Sequence, residues 1–255
     1  MSAPVKSWLE ADGRLLRLRL NRPKANIIDA AMTQALDAAL DAHLQRADLA
    51  AVLLDAEGAH FSFGASVEEH LPASCAAMLK GLHRLILRIA ASPVPVLAAV
   101  QGKCLGGGLE VALAAHQMFV AGDASLGQPE PMLGVFAPAA SCLLPEAIGP
   151  QRALDLLVSG RSVSGAEAAA WGLATNAGSA PQDAALQYFH AHLAGKSATT
   201  LRFAVRAARL DYVARLQDKL AAVERLYLEE LMTSRDATEG LTAFLEKRPP
   251  RWEHR

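Results

Sequence analysis

Residues 94–121, VPVLAAVQGKCLGGGLEVALAAHQMFVA, carry the reading that decides the fold. The apolar run Val94–Val100 has strand length and follows Pro93. Gly102 turns the chain, Gly106, Gly107 and Gly108 precede a helical run from Leu109 to Gln117, and Met118–Ala121 reads as a second buried strand. Strand, glycine turn, helix, strand is the crossover unit of a parallel sheet with helices packed on it. The triple glycine stands where the helix begins. Its free N–H groups, with the helix dipole behind them, attract a negative oxygen, and the missing side chains let a ligand reach the backbone. Taken alone, three glycines are more often a plain turn.

The same alternation extends upstream. Leu16, Leu18 and Leu20 alternate with Arg17 and Arg19 in Arg14–Leu20, which predicts a half-exposed strand. Asp29 is placed to cap a helix whose Met32, Leu36, Leu40 and Leu44 share one face. Ala51–Leu54 reads as a buried strand, and Met78, Leu82, Leu85, Ile86 and Ile89 as the apolar face of another helix. Ser125–Pro131 reads as a loop. Beyond Pro145 the chain becomes mostly helical, with three helices expected in 198–245. The expected architecture is therefore an α/β core over 1–197 with a helical C-terminal region over 198–255.

Composition narrows the function classes. With 255 residues, 52 % of them hydrophobic and 20 % charged, the chain is long and apolar enough to bury a large core. A net charge of −1 and an aromatic fraction of 5 % argue against a nucleic-acid partner, which needs excess positive charge and stacking surfaces. No apolar run reaches the length of a membrane span, and the N-terminal stretch Met1–Glu10 does not read as a secretory signal, so the cytoplasm is the expected compartment. Cys75, Cys104 and Cys142 form no C-x-x-C pair and are read as free core thiols. No G-x-S-x-G elbow, phosphate loop, G-x-G-x-x-G or H-E-x-x-H motif is present, so neither a metal nor a separate cofactor is expected. His116 reads as a structural residue.

Three features remain for chemistry. Gly64–Ala65, in the stretch Phe61–His70 (FSFGASVEEH), is a second glycine turn after a predicted strand. Two N–H groups from separate turns that met on one carbonyl oxygen would form an oxyanion hole. Glu110 lies in the first turn of the helix the glycines open, and Glu130 lies between Pro129 and Pro131. Two carboxylates facing one site can hold a water, one accepting its proton and the other supplying a proton elsewhere. Alone, Glu110 reads as helix-dipole stabilisation and Glu130 as a solvated loop residue. Beside two glycine turns they read as an acid–base pair.

These residues sit in stretches that resemble the enoyl-CoA hydratase/isomerase (crotonase) superfamily along nearly the whole chain. The stretches are NRPKAN (Asn21–Asn26), FSFGAS (Phe61–Ser66), QGKCLGGGLEVALAAH (Gln101–His116), LGQPE (Leu126–Glu130) and FLEKRPPRW (Phe244–Trp252). The resemblance implies a spiral of β-β-α turns with a helical trimerisation region, assembled as a homotrimer or a dimer of trimers. It implies an acyl-CoA thioester substrate, the coenzyme being part of the substrate. By position, Ala65 and Gly107 would supply the oxyanion-hole N–H groups. Glu110 and Glu130 would stand where family hydratases carry their two glutamates. The backbone around Lys24, Ala25 and Asn26 and around Ala65, Ser66 and Val67 would cradle the coenzyme. Phe244 and Lys247 would complete the coenzyme site. Two glutamates favour adding or removing water over isomerisation.

Two segments depart from the common pattern: Ser66-Val67-Glu68-Glu69-His70 follows Gly64-Ala65 without the usual aspartate, and VFAPAASCLLPE (Val135–Glu146) replaces a glycine-rich segment. Together they resemble the branch of the superfamily that hydrates a cyclic dienoyl thioester by 1,4-addition. A hydratase of linear 2-enoyl thioesters, an isomerase, and a homologue that binds without turnover are the alternatives.

Overall fold

The computed structural model describes residues 3–255. The alternation of apolar runs with amphipathic stretches resolves into β1 (Val5–Glu10), β2 (Leu15–Leu20), α1 (Ala30–His43), β3 (Ala51–Ala56), α2 (Cys75–Ala90), β4 (Val96–Val100), β5 (Lys103–Leu105), α3 (Gly107–Leu113), β6 (Gln117–Val120) and β7 (Ser125–Gly127). Then come α4 (Pro138–Ile148), α5 (Pro150–Ser159), β8 (Ser162–Ser164), α6 (Gly165–Ala170), β9 (Thr175–Asn176), α7 (Pro181–Tyr188), α8 (Ala198–Ala208), α9 (Tyr212–Arg225) and α10 (Arg235–Leu245).

The main sheet runs β1-β2-β3-β4-β6-β9, parallel except for the β1–β2 hairpin. A smaller sheet, β5-β7-β8, pairs β5 with β7 in parallel and β7 with β8 antiparallel. Two single bridges, Ile28 with Ala65 and Ser62 with Cys104, extend the same stacking one rung at a time. Each turn of the chain thus makes a long strand in one sheet, a short rung in the other and a helix. This is the expected spiral of β-β-α turns. Asp29 caps α1, accepting from the Met32 N–H at 2.8 Å.

Four local expectations are corrected. β2 is buried on both faces, because α7 and the turn after it cover the far side of the sheet with a second apolar cluster around Leu15, Leu53, Phe119 and Phe189. Its Arg17 is therefore inside, paired with Asp55, which also receives Arg19 through Nε at 2.7 Å, while both guanidinium groups lie over the Trp8 ring. β4 begins at Val96, and α3 is shorter than the run Leu109–Gln117, ending at Leu113 so that Gln117 can enter β6. The predicted loop Ser125–Pro131 holds a strand, β7, and the start of a 3₁₀ turn, Glu130–Leu133.

Asp55 is fully buried between two arginines, so removing its charge leaves Arg17 in the core with only the half-buried Glu10 as its partner. Asp55→Ala is expected to destabilise the chain by about 3–5 kcal/mol, read from urea or thermal unfolding. A loss below about 1 kcal/mol would mean that the cluster is solvated in the folded chain.

The three C-terminal helices are present as expected. α9 packs on α4 and α2 and contributes Leu216 and Leu220 to the main core, then continues through a π turn, Leu226–Glu230. α10 packs against the 3₁₀ turn that carries Glu130. No helix among the described residues is long and apolar enough to cross a membrane.

Candidate active site

The two glycine turns meet. Gly64 (φ +113°) and Gly106 (φ +50°) adopt backbone angles that only glycine takes readily, and they bring Ala65 against Gly107. A β-carbon on Gly107 would lie 3.0 Å from the Ala65 β-carbon and 3.2 Å from its amide nitrogen. The glycine at 107 is therefore required by close approach. Among the described residues, neither the Ala65 nor the Gly107 N–H donates to a protein acceptor, and Gly107 is the first residue of α3. Ser62 pins this corner: its Oγ donates to the Asn26 carbonyl (2.8 Å) and accepts from the Gly64 N–H (3.1 Å).

The two glutamates stand near enough for the charge of Glu110 to act on Glu130. Glu110, in the first turn of α3, is buried, and the N-terminus of α4 holds it: the Ala140 N–H donates to its Oε1 at 2.8 Å. Glu130 lies in the wall of the cavity, and a β-carbon on Gly106 would stand 2.6 Å from its Oε1. Burial raises the Glu110 carboxyl to about 7, against the lowering pull of the Ala140 and Ala139 amides. Burial raises Glu130 to about 8, and the neighbouring Glu110 charge adds to it. A buried carboxyl and a half-buried one whose charges oppose each other hold a proton into the neutral range, so one can act as acid while the other is a base.

The cavity beside them measures ≈ 380 Å³ and is mostly apolar, lined by Ala65, Val67, His70, Met132, Val135 and Phe244 among others. His70 holds the Ser66 carbonyl through Nδ1 (2.7 Å), and burial lowers its pKa, so it faces the cavity as a neutral imidazole. A larger cleft of ≈ 420 Å³ between α3, α4 and α9 is lined by Glu146, Arg209, Asp211 and Arg215. Arg215 pairs there with Glu146 and Asp211, and no acid–base pair comparable to the glutamates stands in it.

Of the other residues singled out in the sequence, Val67 and Phe244 line the cavity. Lys24 and Ala25 do not; the Ala25 carbonyl instead accepts from the Phe63 N–H at 2.8 Å, tying that segment to the glycine turn. The Asn26 side chain is buried in its own loop, donating to the Glu57 and His60 carbonyls and accepting from the Arg22 N–H. It builds the loop and is not directed at the cavity. Ser66 is spent on the following 3₁₀ turn, donating to Glu68 (3.0 Å). Lys247 is exposed outside the lining, and its neighbour Arg248, held by Glu239, reaches the cavity in its place. The turn after α10, where Lys247 has φ +55°, rotates one side chain out and the next in.

Sequence reading also missed Gln128. Its buried side-chain amide, in the orientation that satisfies its neighbours, donates to both Glu130 oxygens at 3.1 and 3.2 Å. The proximity of Gln128 to Glu130 in LGQPE was the available signal, but only the turn between them points both side chains the same way.

Comparison with known proteins finds relatives along the whole chain. Residues 10–255 match the enoyl-CoA hydratase/isomerase family. A cyclohexa-1,5-dienecarbonyl-CoA hydratase from Thauera aromatica is 62 % identical over 254 residues, covering 100 % of this chain and 98 % of the relative. A probable enoyl-CoA hydratase from Bacillus subtilis (strain 168) is 32 % identical over 253 residues, covering 96 % and 97 %. Among solved structures, a carnitinyl-CoA hydratase from Mycobacterium avium superposes with a TM-score of 0.87 at 26 % identity, covering 100 % of both chains. An enoyl-CoA hydratase from Mycobacterium avium subsp. paratuberculosis K-10 gives 0.85 at 26 % identity, covering 99 % of both. With the spiral fold, the paired glycine turns and these end-to-end similarities in hand, the chain belongs to the enoyl-CoA hydratase/isomerase family of enzymes.

Proposed function

We propose that this chain hydrates cyclohexa-1,5-diene-1-carbonyl-CoA by 1,4-addition of water, giving 6-hydroxycyclohex-1-ene-1-carbonyl-CoA in the anaerobic degradation of aromatic compounds. The observation that carries the chemistry is the pair of carboxyls with raised proton affinity beside two N–H groups free of protein acceptors. The 62 % identity to the Thauera aromatica hydratase supports the ring substrate. Val135, at the head of the unusual segment, lines the acyl cavity and supports it further.

In this reading the Ala65 and Gly107 N–H groups receive the thioester oxygen and stabilise the enolate that forms as water adds, an effect of ~10²–10³-fold per donor. One of Glu110 and Glu130 takes a proton from water, which attacks the carbon conjugated to the carbonyl. The dienolate extends to a vinylogous carbon, which the other carboxyl protonates. Gln128 holds Glu130 in place from behind. The backbone of 24–26 and 65–67, with Phe244 and Arg248 at the mouth, would receive the coenzyme, and Lys247 would face it only from a neighbouring subunit. Leu154 and Val158 are large apolar side chains left exposed on the single chain, which supports self-association; the reading carries with it a homotrimer or dimer of trimers in the cytoplasm.

Incubation with the cyclic dienoyl-CoA and with crotonyl-CoA in ¹⁸O water, read by mass spectrometry, tests the reading. Rapid label in the ring product and little in the linear one is expected. Preference for crotonyl-CoA would replace the ring substrate by a linear one, and a shifted double bond without ¹⁸O would replace hydration by isomerisation.

A further inference from the structure

The turn that carries Glu130 is held from outside. Glu130–Leu133 is a single 3₁₀ turn closed by Gly134 in the left-handed region (φ +71°), with the Gly134 N–H donating to the Pro131 carbonyl (3.2 Å) and the Val135 N–H to that of Glu130 (3.3 Å). A lone turn of this kind has poor hydrogen-bond geometry and takes its rigidity from what packs on it. Here α10 packs backbone against backbone. A β-carbon on Gly240 would lie 2.1 Å from the Leu133 carbonyl oxygen, and one on Gly134 would lie 2.6 Å from the Asp236 carbonyl oxygen. Close approach requires glycine at both positions.

A third surface closes this junction. The same β-carbons would stand 3.0 Å from Trp252 Cζ3 on Gly134 and 2.9 Å from Trp252 Cη2 on Gly240. The Cζ3–Cη2 edge of the indole therefore sits over both glycines, on the seam between α10 and the Glu130 turn, while Trp252 as a whole is 39 % exposed. Carboxylates one turn apart on α10 hold the backbone that brings it there. Asp236 accepts from the Glu253 N–H (2.7 Å) and the His254 N–H (2.8 Å), and Glu239 accepts from the Arg251 N–H (2.7 Å). Hydrogen bonds to an ionised acceptor are about twice as strong as neutral ones. Arg248 and Pro250, in the same segment, line the cavity. One stretch of chain thus lines the cavity and seats an aromatic edge on the turn that carries Glu130.

We propose that Trp252 is a positioning residue: its indole edge, seated over Gly134 and Gly240, clamps the Glu130 turn to α10 and so fixes the direction of the Glu130 carboxyl. The inference rests on the reading that Glu130 takes part in proton transfer. Trp252 is not among the residues that line the cavity, so its effect on the reaction runs through the turn. Gln128 holds the carboxyl group itself, and Trp252 holds the backbone that carries it.

Trp252→Ala opens the seam. The expected result is a fall in kcat of ~10–10²-fold for the cyclic thioester, the scale of misplacing a reacting group, with KM within about twofold. Trp252→Phe keeps an aromatic edge and is expected to recover most of the rate. In a Glu130→Gln background Trp252→Ala is expected to cost less than about twofold, because the group it positions is already gone. An equal loss in both backgrounds would overturn the proposal, since general loosening of the fold does not depend on Glu130. A raised KM with unchanged kcat would overturn it as well, by making the segment a clasp for the coenzyme only. Hydrogen exchange gives a readout that needs no turnover: in Trp252→Ala the amides of 132–135 are expected to exchange at least about tenfold faster, with those of β3 and β4 unchanged. Wild-type exchange at the turn would overturn the proposal whatever the kinetics. If Trp252→Ala does not fold, Asp236→Ala releases the Glu253 and His254 amides with the indole still present, and is expected to speed exchange over the same amides; wild-type exchange there would overturn the proposal. A wild-type enzyme inert toward both thioesters would overturn the functional reading instead, and hydrogen exchange would then decide the clamp by itself.

Discussion

Glu110→Gln and Glu130→Gln each lower turnover of the cyclic thioester by ~10²–10⁴-fold, the range for losing one general acid–base group, with little change in KM. The double variant falls only slightly further, because the two carboxyls act as a unit and neither completes proton transfer alone. The wild-type rate follows a bell in pH: it rises as the first carboxyl ionises and falls as the second loses its proton, with both raised by burial to about 7 and about 8. Stability gives an independent readout of the same groups. Their carboxyls bind protons more tightly in the folded chain than in the unfolded one. The stability this confers is complete below the ordinary carboxylate range and is lost as pH rises through the folded values. Glutamine cannot ionise, so either variant is expected to raise Tm at pH 8 while changing it little at pH 4. A variant that keeps wild-type kcat removes that glutamate from the mechanism. A variant that loses rate and Tm together would point to misfolding.

Gly106→Ala is expected to reduce kcat by ~10²-fold or more, for a reason local to the turn. Its φ of +50° is strained for any residue with a side chain, and the added methyl would stand 2.6 Å from Glu130 Oε1. The turn and the carboxylate cannot both keep their positions. Either the Gly107 N–H leaves the oxyanion site or Glu130 leaves the water site. The two are separable by combining Gly106→Ala with Glu130→Gln. If displacement of Glu130 is the whole effect, the double variant is no slower than Glu130→Gln. If the N–H has moved as well, the losses multiply. Wild-type kinetics in Gly106→Ala would show that the turn yields without disturbing either group.

Several parts of this protein were legible in the sequence because they are local. The alternation of apolar runs and amphipathic helices, the Asp29 cap, the two glycine turns and the three C-terminal helices each follow from residues within a turn or two of one another. The family's motifs, in their order along the chain, named the spiral and the candidate residues. Burial of β2 on both faces was not legible, since it depends on α7 arriving some 160 residues later to cover Leu15 and Leu53. Arg17 therefore looked like a surface residue until Asp55 appeared beside it.

The site divides the same way. Its place in the first turn after the glycines singled out Glu110, the flanking Pro129 and Pro131 singled out Glu130, and the family resemblance paired them. Only the tertiary structure decided that they face one another, because residues 64, 106, 110 and 130 come from successive turns of the spiral. It also decided which neighbours serve them. Ala140 grips Glu110, Gln128 grips Glu130, and Arg248, not Lys247, turns to the cavity. Side-chain direction at a turn is set by a few backbone angles, and proton affinity by the atoms that exclude water. Both are properties of packing between segments distant in the chain, which no local pattern encodes.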